Sequence, residues 1–271
     1  MKITFIGGGN MANAIIGGLL KKGYAADALR VVEIDAAARA KLAQQYAVAT
    51  FERIDAAAVA GDCVVLAIKP QNMREVATAL RPHIKQQLVI SIAAGIRSTD
   101  LARWLGGYAR LVRAMPNTPA LVGAGCTGLY AMPGATKEDY AHAEAILGAV
   151  GTTLKVESEE QLDAITAVSG SGPAYVFYFI ESLEKAGIEL GLAPEAARKL
   201  AIQTFVGAAR LAAESAEPPG TLRERVTSKG GTTEAALKVF AAEDIAGRIG
   251  RALKAASDRG AELGELLGRD G

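Results

Sequence analysis

"KITFIGGGNMANAIIGGLLKKG" (residues 2–23) passes from a short apolar run, through three consecutive glycines, straight into helix-forming residues. Lys2 to Ile6 predicts a buried strand, and Met11 to Lys22 a helix that stops at Gly23. A strand that ends on Gly7-Gly8-Gly9 and restarts at once as helix needs a bare backbone at the turn. Gly7-x-Gly9-x-x-Ala12 sits between the two elements, inside a strand–helix–strand unit of about thirty residues. In that setting the first glycine permits the tight turn and the second lets a pyrophosphate approach the backbone. The small third residue lets helix and strand pack closely. Free amides at the helix start favour phosphate charge, so the turn points to a dinucleotide site.

The next strand tests the adenosine end. Within "LRVVEI" (residues 29–34), Glu33 lies 21 residues beyond Ala12, where an acid grips the ribose hydroxyls in NAD-binding proteins. Asp35 is a second candidate. A carboxylate there repels the extra phosphate of NADPH, which favours NADH.

The alternation continues outward. Ala36 to Tyr46 predicts a helix, "DCVVLAI" a strand, and Met73, Val76, Ala77 and Leu80 a helix ending at Pro82. "QLVISIA" and "ARLVRAM" read as strands around a short helix, "STDLARWL", capped by Ser98 or Thr99. "CTGLYAM", a helix from Lys137 to Val150, and "TTLKV" complete the series. It predicts a parallel, doubly wound sheet over residues 1–157. From Glu159 onward strands vanish and alanine-rich helices dominate, which gives a second domain over 158–271. A buried helix is expected from Pro173, with Tyr175, Phe177, Tyr178 and Phe179 in its core. Between Pro194 and Ser215 apolar residues cover more than one face, so that helix too is expected to be buried on most sides. In the last helix Ile245, Ile249, Leu253, Ala256, Gly260, Leu263 and Leu267 form a four-three seam, for either intramolecular packing or a subunit interface.

The totals exclude several classes. The 271 residues, 28.0 kDa, carry 30 basic against 29 acidic side chains, without the basic surplus of a nucleic-acid binder. Cys63 and Cys126 lie far apart and read as small buried side chains in a reducing compartment. With the two histidines they assemble no metal cluster. The opening is no signal peptide, since glycines break its apolar segment. The uncharged stretch from Ala164 to Ile180 is short for a membrane span and carries Ser-Gly-Ser-Gly-Pro in its middle. The expectation is a cytoplasmic protein. His83 and His142 are expected at the solvent-facing surface.

Five further stretches lack helix or strand logic of their own: "AIKPQ" (67–71), "SIAAGI" (91–96), "RAMPNTPALVGAG" (113–125), "VSGSGPAY" (168–175) and "VTSKGGTTEAAL" (226–237). Four of them join turn residues to hydroxyls beside an apolar element, and the first carries Lys-Pro instead. In this order and spacing they resemble pyrroline-5-carboxylate reductase, over essentially the whole chain.

The resemblance implies an α/β Rossmann-like dinucleotide-binding domain followed by an all-α dimerisation domain. It implies NAD(P)H-dependent reduction of 1-pyrroline-5-carboxylate to L-proline, and subunits paired as a homodimer or a ring of dimers. Carried onto this chain, the cofactor, NADP(H) or NAD(H), meets Ile6, Gly7, Gly8, Gly9, Asn10 and Met11. Ala67, Ile68, Lys69, Pro70, Ala93, Ala94 and Gly95 line the rest of its groove, and Asn117 closes the wall at the reacting end. The substrate is carried to Ser228, Gly230, Gly231, Thr232 and Thr233, with Thr233 hydrogen-bonded to the ring nitrogen as the catalytic hydroxyl. Read without the resemblance, Thr232 and Thr233 could equally cap the next helix. Two positions depart from the family pattern. Glu33 stands where a hydroxyl or basic residue is common, and Ile54 where many members have asparagine. A β-hydroxyacid reductase on the same plan would need a lysine near 165–180, and none stands between Lys155 and Lys185. A non-catalytic dinucleotide sensor would not need "TSKGGTT".

Overall fold

The structure, a computed structural model, describes residues 1–269. Eight strands form one sheet: β1 (Ile3–Ile6), β2 (Leu29–Val32), β3 (Ala49–Phe51), β4 (Cys63–Leu66), β5 (Leu88–Ser91), β6 (Leu111–Met115), β7 (Gly125–Ala131) and β8 (Gly151–Lys155). Their spatial order is β3-β2-β1-β4-β5-β6-β7-β8. β1, β4 and β5 are buried at every position, so they read as mostly apolar runs, with Thr4 and Ser91 as buried exceptions, rather than alternating ones. The crossovers are α1 (Asn10–Lys21), α2 (Ala36–Tyr46), α3 (Met73–Leu80) and α4 (Ser98–Trp104), with α5 (Lys137–Leu147) between β7 and β8. They bury two apolar layers, one on each side of the sheet: Ile15, Ile16 and Leu19 anchor the first, Met73, Leu80 and Trp104 the second.

The predicted all-parallel sheet needs one correction. β6 and β7 are antiparallel. Only residues 116–124 join them, too few for the crossover helix that a parallel pair requires. The turn therefore stays at the carboxyl end of β6. Strand β3 went unread in the sequence because a three-residue edge strand carries no periodicity. Cys63 is buried, and burial, with Asp139 and Asp62 nearby, pushes its thiol far up. Cys126, expected to be buried, is only half-buried.

The remaining helices are α6 (Gln161–Ile165), α7 (Gly172–Glu189), α8 (Pro194–Glu214), α9 (Pro219–Arg225), α10 (Thr232–Ala242) and α11 (Ile245–Gly268), with a π-helical turn over Thr166–Gly170. Contacts divide the chain into one unit of Met1–Ser171 joined by the helix from Ala256 onward, and a second of Gly172–Ala255. The last strand of the sheet ends at Lys155. In the second unit α7 and α8 pack through Gly187 on Ala197 and an Arg198–Glu184 ion pair of 3.0 Å.

The expectation that α7 and α8 are buried does not hold for the single chain. Phe177 and Tyr178 are each 66% exposed, so they are not a helix core within it. In α8 only Ala197 and Ala201 are buried. Among the described residues no helix is long and apolar enough to cross a membrane.

Candidate active site

The register places the ends of the central strands side by side. Ile6 lies opposite both Val32 and Leu66, and Leu66 opposite Ser91. Gly7, Glu33, Ala67 and Ile92, each one residue past its strand, thus form a single rim. The strand order reverses between β1 and β4, and such a switch point opens a crevice at the carboxyl ends.

The three glycines play three roles. Gly7 has φ 98°, and a Cβ there would lie 2.5 Å from the Ala67 carbonyl oxygen and 2.8 Å from Ile68. Gly8 is confined by Leu42, and its N–H donates to Glu33 Oε2 at 2.8 Å. Gly9 is different. Its backbone is extended, and a Cβ would meet nothing within 4 Å. The fold does not need glycine there, so a bare backbone serves whatever occupies that space. Asn13, unsuspected from the sequence, donates from Nδ2 to the carbonyls of Gly8 (2.7 Å) and Gly9 (3.0 Å). With these oxygens turned inward, the amides of Gly9, Asn10 and Met11 have no acceptor among the described residues. They form the positive end of α1, which suits a pyrophosphate.

The two acids after β2 separate cleanly. Asp35 Oδ1 accepts from Ala38 N–H at 2.6 Å and caps α2. Glu33 faces the glycine turn, its second oxygen accepting from Asp35 N–H at 3.0 Å. The neighbouring cation is already engaged, since Arg39 Nη1 donates to the carbonyls of Glu33 and Ile34 at 2.8 and 2.9 Å.

Farther along the rim, Lys69 is exposed and starts the turn Pro70–Asn72. Its ammonium makes no ion pair among the described residues. Ala93 is buried and Ala94 exposed, and Gly95, at φ 71°, lies against Leu263 and Leu267 of α11. Asn117 links three segments. Its Oδ1 accepts from Cys126 N–H at 2.9 Å, and its Nδ2 donates to the Ser169 carbonyl and hydroxyl at 3.2 and 3.1 Å. Gly170 packs on Met115, so "RAMPN" and "VSGSG" meet at one end of the groove. Ser169 was not singled out in the sequence. A hydroxyl among turn glycines was its only signal.

The second unit holds the "TSKGGTT" loop. Gly230 takes φ 76° and donates its N–H to Glu234 Oε2 at 2.5 Å. Gly231, not a threonine, is the N-cap of α10, and no side chain caps that helix. The hydroxyls of Thr232 and Thr233 have no partner among the described residues. Neither do the amides of Thr232, Thr233 and Glu234. Hydroxyls and a helix N-terminus thus converge on a half-exposed surface that suits a small carboxylate. Of the histidines, His83 is half-buried in a turn, and His142 sits beside Glu138 at 4.0 Å.

Known proteins match this arrangement over its whole length. Residues 159–263 match the model for pyrroline-5-carboxylate reductase dimerisation. A pyrroline-5-carboxylate reductase of Pseudomonas aeruginosa is 47% identical, covering 99% of this chain and 98% of its own. The chain belongs to the pyrroline-5-carboxylate reductase family. The solved pyrroline-5-carboxylate reductase of Coxiella burnetii is 42% identical, with a TM-score of 0.92 over 97% of this chain and 98% of that one. That of Plasmodium falciparum, with NADP bound, is 27% identical at TM-score 0.86, over 97% and 98% of the two chains. Residues 2–95 also match the model for F420-dependent NADP oxidoreductases. The protein is a pyrroline-5-carboxylate reductase, which reduces 1-pyrroline-5-carboxylate to proline with a nicotinamide cofactor.

Gly9 and Gly7 should respond differently to substitution. Gly9→Val is expected to keep a melting temperature close to the parent's and to lose dinucleotide binding in calorimetry. Gly7→Ala is expected to lower the melting temperature, because its Cβ has neither room nor a favourable φ. Native dinucleotide affinity in Gly9→Val would place the phosphate site elsewhere.

Proposed function

We propose that the dinucleotide lies across the carboxyl ends of β2, β1, β4 and β5. Its adenosine ribose would sit at Glu33, its pyrophosphate on residues 6–11, and its nicotinamide between Ala93–Gly95 and Asn117. Ala67 to Pro70 would line the middle. The observation that carries this reading is the open space beside Gly9, next to unpaired amides at the start of α1. The bound cofactor supplies the hydride. The chain's own residues hold the nicotinamide ring against one wall and exclude water from that side.

We assign the substrate to Ser228, Gly230, Gly231, Thr232 and Thr233. The free amides of α10 hold the carboxylate of the ring. Hydride addition to the imine carbon turns the imine nitrogen into an amine, so that nitrogen must carry a proton. The Thr233 hydroxyl, unpaired among the described residues and not the cap of its helix, is free to orient that N–H and relay its proton. A threonine hydroxyl is too weak an acid to be the ultimate proton source.

We also propose that NADH is the better donor. The Glu33 carboxylate is pinned by two backbone amides beside the ribose position, and Arg39 is already committed to carbonyls. A 2′-phosphate would meet this charge at close range. Two like charges about 4 Å apart near a protein surface repel by ~4 kcal/mol. The exposed apolar side chains of α7, α8 and α10, among them Phe177, Tyr178, Leu211 and Phe240, support self-association through the second unit.

Three measurements check these assignments. Thr233→Ala is expected to cut turnover at saturating substrate on the order of a hundredfold while the melting temperature barely moves. Normal turnover in the variant would remove the hydroxyl from the chemistry. Glu33→Ser should raise the ratio of kcat/KM with NADPH to that with NADH, and an unchanged ratio would refute the charge argument. Light scattering at micromolar concentration should give at least twice the chain mass of 28.0 kDa, and an active monomer would count against pairing.

A further inference from the structure

We infer that Glu159 is the positioning residue that fixes the nicotinamide end of the groove, although it touches neither cofactor nor substrate. The inference rests on the placement of that end proposed above. Glu159 is 9% exposed and precedes α6. Its Oε1 accepts from Ser98 N–H at 2.7 Å and from Arg113 Nη1 at 2.8 Å, while Oε2 accepts from the Ser98 hydroxyl at 2.6 Å. Ser98 is the first residue of α4, and Arg97 before it makes no side-chain cap. A carboxylate 61 residues away thus caps the helix, in place of the local serine or threonine expected from the sequence.

Three segments at the reacting end converge on this one group. Ala93–Gly95 runs directly into Ser98. Arg113, 4% exposed on β6, stands just before Met115 and Asn117, and has no other partner among the described residues. Glu159 itself leads through α6 to Ser169, which Asn117 holds. A second ion pair lies alongside, with Arg97 Nη2 at 2.7 Å from Asp163 Oδ2. In that pair Arg97 Nη1 is buried without a partner among the described residues, so it carries an uncompensated cost. The Glu159 cluster has no such defect and is the firmer anchor. Removing its charge would leave Arg113 buried and unpaired and would free both neighbouring segments to shift.

The test compares two ligands on the full-length protein by calorimetry: the reduced dinucleotide, and ADP-ribose, which keeps the adenosine and pyrophosphate but lacks nicotinamide. Glu159→Gln should weaken the dinucleotide about tenfold and leave ADP-ribose within about twofold, with turnover lowered by at least as much as dinucleotide affinity. Hydrogen exchange at the Ser98 amide should quicken in the same variant. Ser98→Ala, which loses only the hydroxyl bond, should show the same selectivity at smaller amplitude, and it carries the test if Glu159→Gln does not fold. Equal loss of both ligands would mean a general structural role, and no loss of either would mean no role; each overturns the inference. If the parent itself binds ADP-ribose as tightly as the dinucleotide, the groove assignment falls, and the part given to Glu159 falls with it.

Discussion

The end of β1 runs so close to the end of β4 that no side chain fits between them, and the site depends on that approach. A Cβ on Gly7 would lie within 2.5 Å of the Ala67 carbonyl oxygen. Because Gly7 is bare and takes a left-handed φ, α1 can start immediately, with its N-terminus over the rim. The same closeness keeps the carboxyl ends of four parallel strands flush, so residues distant in sequence share one edge. The switch in strand order at this point separates the loops above it and opens the crevice.

Polar side chains then decide which way the bare backbone faces. Asn13 claims two carbonyls of the turn and Glu33 claims one amide, so the remaining amides point outward. The same logic recurs at the other end of the rim, where Asn117 satisfies a backbone amide on β7 and reaches across to Ser169. Each of the two asparagines makes more than one hydrogen bond to neighbouring segments. That is how irregular segments are held to the tolerance a hydride transfer needs.

Much of this was legible in the sequence, and the unread parts have physical causes. The buried strands announced themselves because both faces are covered, which leaves mostly apolar runs. Gly7 and Gly9 followed from the strand–glycine–helix order, although the sequence does not show that packing requires glycine at the first and leaves open space at the second. Asp35 stayed a second candidate beside Glu33 in the sequence, because both lie near the end of β2. The hydrogen bond from Ala38 shows that Asp35 caps α2, which no spacing announced. Asn13, Ser169 and Glu159 act through partners 4 to 61 residues away, and neither periodicity nor turn chemistry encodes such pairings. The antiparallel β6–β7 pair was missed for a simpler reason: strand propensity carries no direction, and only the shortness of the connection reveals it. Exposure of Phe177 and Tyr178 was invisible because an apolar helix looks the same whether its cover comes from its own chain or from another.

The seam in the last helix shows why spacing alone names no partner. Its C-terminal part packs within the first unit, yet the contacts are not purely apolar. Gly260, Gly264 and Gly268 recur every four residues, and on that bare strip lie Asp163, Arg97 and Asp100. Each glycine inside a helix costs about 1 kcal/mol relative to alanine, so Gly260 and Gly264 weaken α11 by ~2 kcal/mol, while Gly268 stands at its end. Side chains at 264 and 268 would displace Arg97 and Asp100, so the glycines offset their cost by letting charged groups lie flat against the helix. Arg103 Nη2 also donates to the Gly268 carbonyl at 2.6 Å, using a C-terminal oxygen that the helix leaves free. Between these polar contacts Leu263 and Leu267 press on Gly95, the left-handed residue that follows β5. The helix end is therefore shaped by what it supports. Its apolar residues brace the rim, and its glycines admit the charges that hold α4 beside it.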